Sequence, residues 1–373
     1  MAGRRRPNLI AILLALAAAV PVAAGEAEVR RGKLLFDAPW IVPAGQDALG
    51  PLLNARACAD CHPGGGAGSP VGPALVLRTG GDPLLGQQIQ PLAVDGLAAE
   101  PLPAARASTA TVGDELLPLT VWTGERPLAA RLAPGLRGAG LLALIPDAVL
   151  RRAADPRDAD GDGVSGRPGA GRFGYKAEHA TLAAAVETAL VVDMGLATPS
   201  HPRPEGDCTP AQPTCLAAAG HGAPVSALEV ERLVAFVAAL RPRPVDGGDA
   251  AGERLFAAAG CAACHAGPYT IPSDPAVTGR MVETIAPYTD LLLHDLGPEL
   301  ADPFPSPHAA AGEWRTAPLW GLRTRRAYLH DGRAGSLRDA ILWHGGEAAT
   351  SRARFLALAA DEEAALLRFL GGL

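Results

Sequence analysis

Cys261-Ala262-Ala263-Cys264-His265 is the stretch on which the reading of this chain turns. Two cysteines separated by two residues and followed at once by a histidine can bond both vinyl groups of a haem through thioethers, while the imidazole supplies a ligand to its iron. The same pattern stands 203 positions earlier as Cys58-Ala59-Asp60-Cys61-His62. Two copies predict two covalent c-type haems, anchored by Cys58 and Cys61 and by Cys261 and Cys264, with His62 and His265 on the irons. Paired cysteines also serve zinc sites and redox-active disulfides. Zinc sites usually combine two pairs, however, and a redox pair needs no adjacent histidine.

The N-terminus points to the same chemistry. Arg4, Arg5 and Arg6 precede an apolar run from Leu9 to Val20 and the small residues Val22-Ala23-Ala24-Gly25, the plan of a secretory signal peptide over residues 1–24. The run is short for a transmembrane span, so a periplasmic protein with no span after cleavage is expected, an uncleaved anchor being the alternative. The 373 residues, 48% of them hydrophobic, suffice for two cores, and the low aromatic content of 4% leaves room for haem as the large flat apolar group. With 33 basic and 39 acidic residues the chain carries −6, and removal of the three leader arginines leaves 30 against 39, or −9. That balance disfavours nucleic acid and suits a basic redox partner protein, donor or acceptor.

Cys208 and Cys215 remain once the haem anchors are assigned. In an oxidising compartment they are expected to form a disulfide, whose small loop is worth roughly 2.5 kcal/mol in the chain-entropy model. A pair of redox-active thiols is the alternative, at a spacing foreign to such motifs.

Two repeats organise the rest. Gly32-Lys33-Leu34-Leu35-Phe36 and Gly252-Glu253-Arg254-Leu255-Phe256 each end a helical pattern ahead of a haem motif. Glu229 to Leu240 lies without gaps on Glu362 to Leu373, and Ser226 with Glu229 forms a capping box. Helix, haem and helix thus recur in order, the plan of a class I cytochrome c domain. A mainly α fold is expected, with two such domains at 25–242 and 246–373 joined through Arg241-Pro242-Arg243-Pro244-Val245. The first carries a long loop-rich insertion from Gly64 to Gly222, with helices expected over Pro134–Leu150 and Thr181–Met194.

Inside the insertion, Asp158, Asp160 and Asp162 with Gly163 begin like a calcium loop, although Gly169 stands where a bidentate glutamate should close it. A solvated acidic turn is the alternative. Gln88, Gln90 and Glu100 could position a peroxide and move its proton beside a haem with an open face; surface polar residues are the bland reading.

Four stretches after the second haem motif make the resemblance specific: Pro287 to Gly297, Arg315 to Gly321, Tyr328 to Ala334 and Ser336 to Glu347. With the Asp-Gly-Asp-Gly turn and Arg172-Phe173-Gly174-Tyr175-Lys176-Ala177, they resemble the family of di-haem oxidoreductases also labelled thiol oxidoreductases, relatives of bacterial di-haem cytochrome c peroxidases and MauG. The resemblance implies a distal ligand of the C-terminal haem at His344, with His294, His330 and Met281 as rivals. It also implies a glutamine, a proline and a glutamate over the N-terminal haem. Gln88, Gln90 and Glu100 resemble that set, but Leu97 falls at the glutamate's interval from Gln87 and Pro91, and Met194 could close that iron instead. The function implied is passage of electrons between two haems with hydrogen peroxide as a small oxidant. A pure electron carrier, or a haem-bearing subunit of a larger complex, is the alternative. The thiol label finds no support, because each cysteine pair is used up in thioethers.

Overall fold

The computed structural model describes residues 25–40, 49–203, 205–219, 224–244, 248–273, 281–304 and 306–373; the expected leader at 1–24 lies outside them. Glycine brings the paired helices together. Helix Glu26–Asp37 buries Gly32 and Phe36 against helix Ala227–Ala239. A Cβ on Gly32 would stand 1.9 Å from the Arg232 carbonyl oxygen, and Phe36 meets Phe236 edge-on at 5.0 Å. The second half repeats the crossing. Helix Ala250–Ala258 lies on helix Ala360–Gly372, with a Gly252 Cβ at 2.2 Å from the Ala365 carbonyl oxygen and Phe256 at 5.5 Å from Phe369. Ser226 and Glu229 cap their helix reciprocally, as the sequence predicts.

The mainly α expectation is overturned. Among the described residues helices take 34% and strands 17%, the strands forming several small antiparallel sheets. Leu75–Asp82 pairs with Gly86–Gln88 on one side and Ala129–Leu132 on the other. Ala105–Val112 turns at Gly113-Asp114 into Glu115–Trp122, and Tyr269–Pro272 pairs with Val282–Ile285. Leu293–Asp295 pairs with Glu313–Arg315. The reason is local. Glycines and prolines break the insertion into stretches too short for helices, while residues such as Thr109, Thr111, Val112, Thr120 and Val121 favour extended backbone. Gly113 takes φ +62 at the first loop position, which suits a two-residue hairpin loop.

Proline also splits an expected helix. Pro134–Leu150 resolves into Ala139–Ala143 and Asp147–Ala153, parted at Pro146, whereas Thr181–Met194 holds as Leu182–Val192 with Thr181 as cap.

The two apolar cores interlock across the Arg241–Pro244 connection. Val112 and Leu117 of the long hairpin pack in the core of Phe256, Trp343 and Phe369. Ile271, Ile285, Leu291 and Trp320 return the exchange, packing in the core of Phe36, Leu233 and Phe236. A buried ion pair between Arg131 and Asp302 ties the same two halves.

Candidate functional site

The first cysteine pair stands on one helical turn, Cys58–Cys61, whose entry is held by Asp60 Oδ2 accepting from the Arg56 and Ala57 amides at 3.0 Å each. His62 follows, and its Nδ1 lies 2.9 Å from the Pro134 carbonyl oxygen. A carbonyl can only accept, so Nδ1 carries the proton and Nε2 keeps its lone pair. Burial lowers the His62 pKa to about 4.

The second pair repeats the device with different neighbours. Gly260, at φ +87, opens the turn Cys261–Ala263, and His265 Nδ1 donates to the Tyr288 carbonyl at 3.0 Å. Burial, with His344 close by, lowers the His265 pKa to about 4. Both imidazoles are therefore neutral, oriented, and free at Nε2, the state in which histidine binds a metal.

Burial pushes Cys58 and Cys61 up to about 12 and Cys261 to about 11, and raises Cys264. A raised thiol pKa disfavours thiol exchange, which needs the thiolate.

An open-mouthed cavity lies beside Cys261, Cys264 and His265, with Phe256, Leu319, Leu322, Leu337 and Ile341 in its apolar wall. His344 enters it just past helix Leu337–Leu342, which Ser336 caps by accepting from the Asp339 amide at 3.0 Å. Its Nδ1 donates to the Ala340 carbonyl at 2.7 Å, so Nε2 is again the free nitrogen, and burial lowers its pKa.

The rival ligands are placed differently. His294 lies between Asp290, 2.9 Å from Nε2, and Glu347, 2.8 Å from Nδ1. Burial opposes its charge, yet hydrogen bonds to Asp290, Cys264 and Glu347 push it up to about 12. An imidazolium donating from both nitrogens has no lone pair to offer. His330 stacks on Trp314 at 3.6 Å and 9° in the cavity wall, and Met281 is 73% exposed.

Two arginines complete the second site. Arg315 donates from Nε to the Gly174 carbonyl at 2.8 Å and from Nη1 to the Thr316 carbonyl at 3.0 Å. Arg325 lines the same cavity, and its guanidinium has no hydrogen-bond or carboxylate partner among the described residues. Burial lowers the pKa of both. A largely buried cation without a counterion is costly, and the carboxylates of a haem are the kind of anion that would relieve it. The residues present thus fit the group.

Gln88, Gln90 and Glu100 are buried in one polar network. Gln88 Nε2 donates to Asp193 Oδ1 at 2.7 Å; Gln90 donates to the Val192 carbonyl at 2.8 Å and accepts from Asn54 at 2.6 Å. Glu100 accepts from the Gln90 amide at 2.8 Å and from Gln212 at 2.5 Å. Asp193, pushed up to about 6 by burial, lies close enough for its charge to raise the Cys58 and Cys61 thiols further. Met194, next to it, is 3% exposed in the first core. Cys208 and Cys215 are joined, their Cα atoms 5.8 Å apart, and Asp207 beside them accepts from the Gln87 and Gln88 amides. Asp158, Asp160 and Asp162 each bring a carboxylate oxygen within 4.8 Å of the others.

Sequence reasoning missed Arg325, Asp193 and the Asp290, His294 and Glu347 set. Asp290 and His294 are four apart, but Glu347 is 53 positions further on, and no local pattern joins them.

The family described as "Di-haem oxidoreductase, putative peroxidase" matches residues 108–373. The chain belongs to this family. The matched region takes in the second haem motif, His344, Arg315 and Arg325, while Cys58 to His62 precede it. Haem is therefore the cofactor class of this di-haem oxidoreductase, and redox chemistry its reaction class. No curated protein matches the chain. Among solved structures, Kuenenia stuttgartiensis hydrazine synthase pressurized with xenon is similar at 15% identity over 93% of this chain and 87% of that one, with a TM-score of 0.40. Among the described residues, no helix of this di-haem oxidoreductase is long and apolar enough to cross a membrane.

Proposed function

We propose that this di-haem oxidoreductase carries both haems covalently in the periplasm, passes electrons between them, and reduces hydrogen peroxide at the first. The observation that carries the reading is the pair of motif histidines, each with Nδ1 tied to a carbonyl and Nε2 left for iron. Cys58 and Cys61 hold one group and Cys261 and Cys264 the other. A haem supplies reversible one-electron chemistry at its iron. The protein sets which iron is open. His344 faces the cavity of His265 with its Nε2 free, and would help hold the second haem as an electron-transfer centre. Substrate chemistry then falls to the first, where Asp193 and Glu100 would be the carboxyls able to move a proton and Gln88 would hold Asp193 in place. Arg325 and Arg315 compensate haem carboxylates at the second site. The donor is a soluble redox partner protein. The turn at Asp158, Asp160 and Asp162 binds calcium; chelation should then lower the melting temperature, and equal melting with calcium or chelator would make it a solvated acidic turn.

One observation favours a second reading, an electron carrier with both irons closed. Met194 is buried beside Asp193, and the amides of Gln88 and Gln90 already have protein partners. Electron paramagnetic resonance of the oxidised protein separates the two. One high-spin and one low-spin iron, with peroxide consumption from a reduced donor, support the peroxidase reading. Two low-spin irons and no consumption support the carrier.

A further inference from the structure

We propose that the backbone segment Leu132–Pro134 is the bonded bridge for electrons between the two haem sites, with the Tyr175 hydroxyl as its contact on the second. The inference rests on the di-haem reading above and adds the route. On one side, His62 donates from Nδ1 to the Pro134 carbonyl at 2.9 Å. On the other, Tyr175 donates its hydroxyl to the Leu132 carbonyl at 2.8 Å, and the Leu132 amide donates to the His330 carbonyl at 2.8 Å. Tyr175 and His330 both line the cavity that holds Cys261, Cys264 and His265. From a ligand ring of one site to an aromatic wall of the other, the path is therefore two hydrogen bonds and a short run of covalent backbone. Electronic coupling decays more slowly through bonds and hydrogen bonds than across van der Waals gaps.

The bridge is held in place from both flanks. Ala133 donates to the Ala74 carbonyl at 2.8 Å and accepts from the Gly68 amide at 2.9 Å, and Leu132 stands in register with Leu75 in the three-stranded sheet. Arg325 abuts the same stretch, Nη2 lying 3.6 Å from where a Cβ on Gly135 would be.

Trp314 is the larger ring in that wall and the obvious competitor. Lys176 Nζ lies 3.7 Å and the Arg131 guanidinium carbon 4.8 Å from its ring centre. Two cations against a ring oppose the removal of an electron from it, so Trp314 is a poor stopping place for a hole. Transfer along the bridge needs no such stop. One electron leaves a ferrous iron, which becomes ferric, and reaches a ferric iron, which becomes ferrous; His62 and Tyr175 keep their protons, and no bond is made or broken. Two such transfers, each supplied by the one-electron donor protein, would be needed for one hydrogen peroxide, which with two protons taken up at the peroxide site becomes two waters.

The test is Tyr175→Phe in the holoprotein, which keeps the ring and removes the hydroxyl. Electron injection by pulse radiolysis, followed optically at both haems, should show inter-haem equilibration slowed severalfold with the two midpoint potentials and spin states unchanged. An unchanged rate with both haems in place overturns the bridge, as does slowing by Trp314→Phe while Tyr175→Phe has none. If the tyrosine variant does not accumulate, the parent protein still decides: equal rates in H2O and D2O are expected, and a large isotope effect overturns a route in which no proton moves. Failure of the underlying reading registers earlier and separately, as protein carrying fewer than two covalent haems.

Discussion

His265 and His344 meet across one cavity with the same half of each ring tied to a carbonyl, and that shared tautomer is the most specific thing the second site offers. Imidazole nitrogen donates more strongly to ferric iron than thioether sulfur does, so two histidines make a low-spin haem of low potential. His344→Ala should leave the covalent haem in place, open its iron to cyanide, raise its potential and create a high-spin signal. An unchanged spectrum would move the ligand elsewhere. His294 is ill suited to take over, because Asp290 and Glu347 occupy both its nitrogens. Arg325 supplies a second residue-scale test. Its partly buried charge has no protein partner among the described residues and favours the electron-poor ferric haem less than the reduced one. Arg325→Gln should therefore lower the midpoint potential of the second haem alone, with Arg325→Lys recovering part of the shift in a redox titration. Equal potentials in all three proteins would show that the charge does not face the haem.

Among the elements, the staple that joins strand Gly86–Gln88 to the disulfide loop has a pH dependence of known sign. Burial pushes Asp207 up to about 6 against the pull of the Gln87 and Gln88 amides, well above the ordinary carboxylate range. A carboxyl whose folded pKa is raised adds its stability below the unfolded value and loses it as pH climbs through the folded one. Melting temperature should thus fall between pH 4 and about 6, and Asp207→Asn should flatten the slope in that window. A variant with the same slope would place the titration on another group. This staple was not legible beforehand, because Gln88, Asp193 and Asp207 are distant in sequence and meet only through tertiary packing. The helices were legible, since Leu233, Phe236, Leu366 and Phe369 recur at helical spacing and bury together. The strands were not: alternation in Ala105–Val112 and Glu115–Trp122 is weak, with Pro118 inside one of them, and only Gly113-Asp114 marked the hairpin.

For the whole molecule, two helix pairs built on the same glycine and phenylalanine plan carry one motif each, and each core borrows strands from across the connection. The Leu132–Pro134 segment meets His62 on one side and Tyr175 of the second cavity on the other, which is where we place the route for electrons. Everything above depends on both motifs holding haem through their cysteines. Intact-mass measurement of the exported, mature protein tests this most directly. A mass two haems above that of the polypeptide, falling by one in Cys58→Ala/Cys61→Ala and by the other in Cys261→Ala/Cys264→Ala, is the expected result; a colourless chain at its bare mass, or one loaded with zinc, would contradict it.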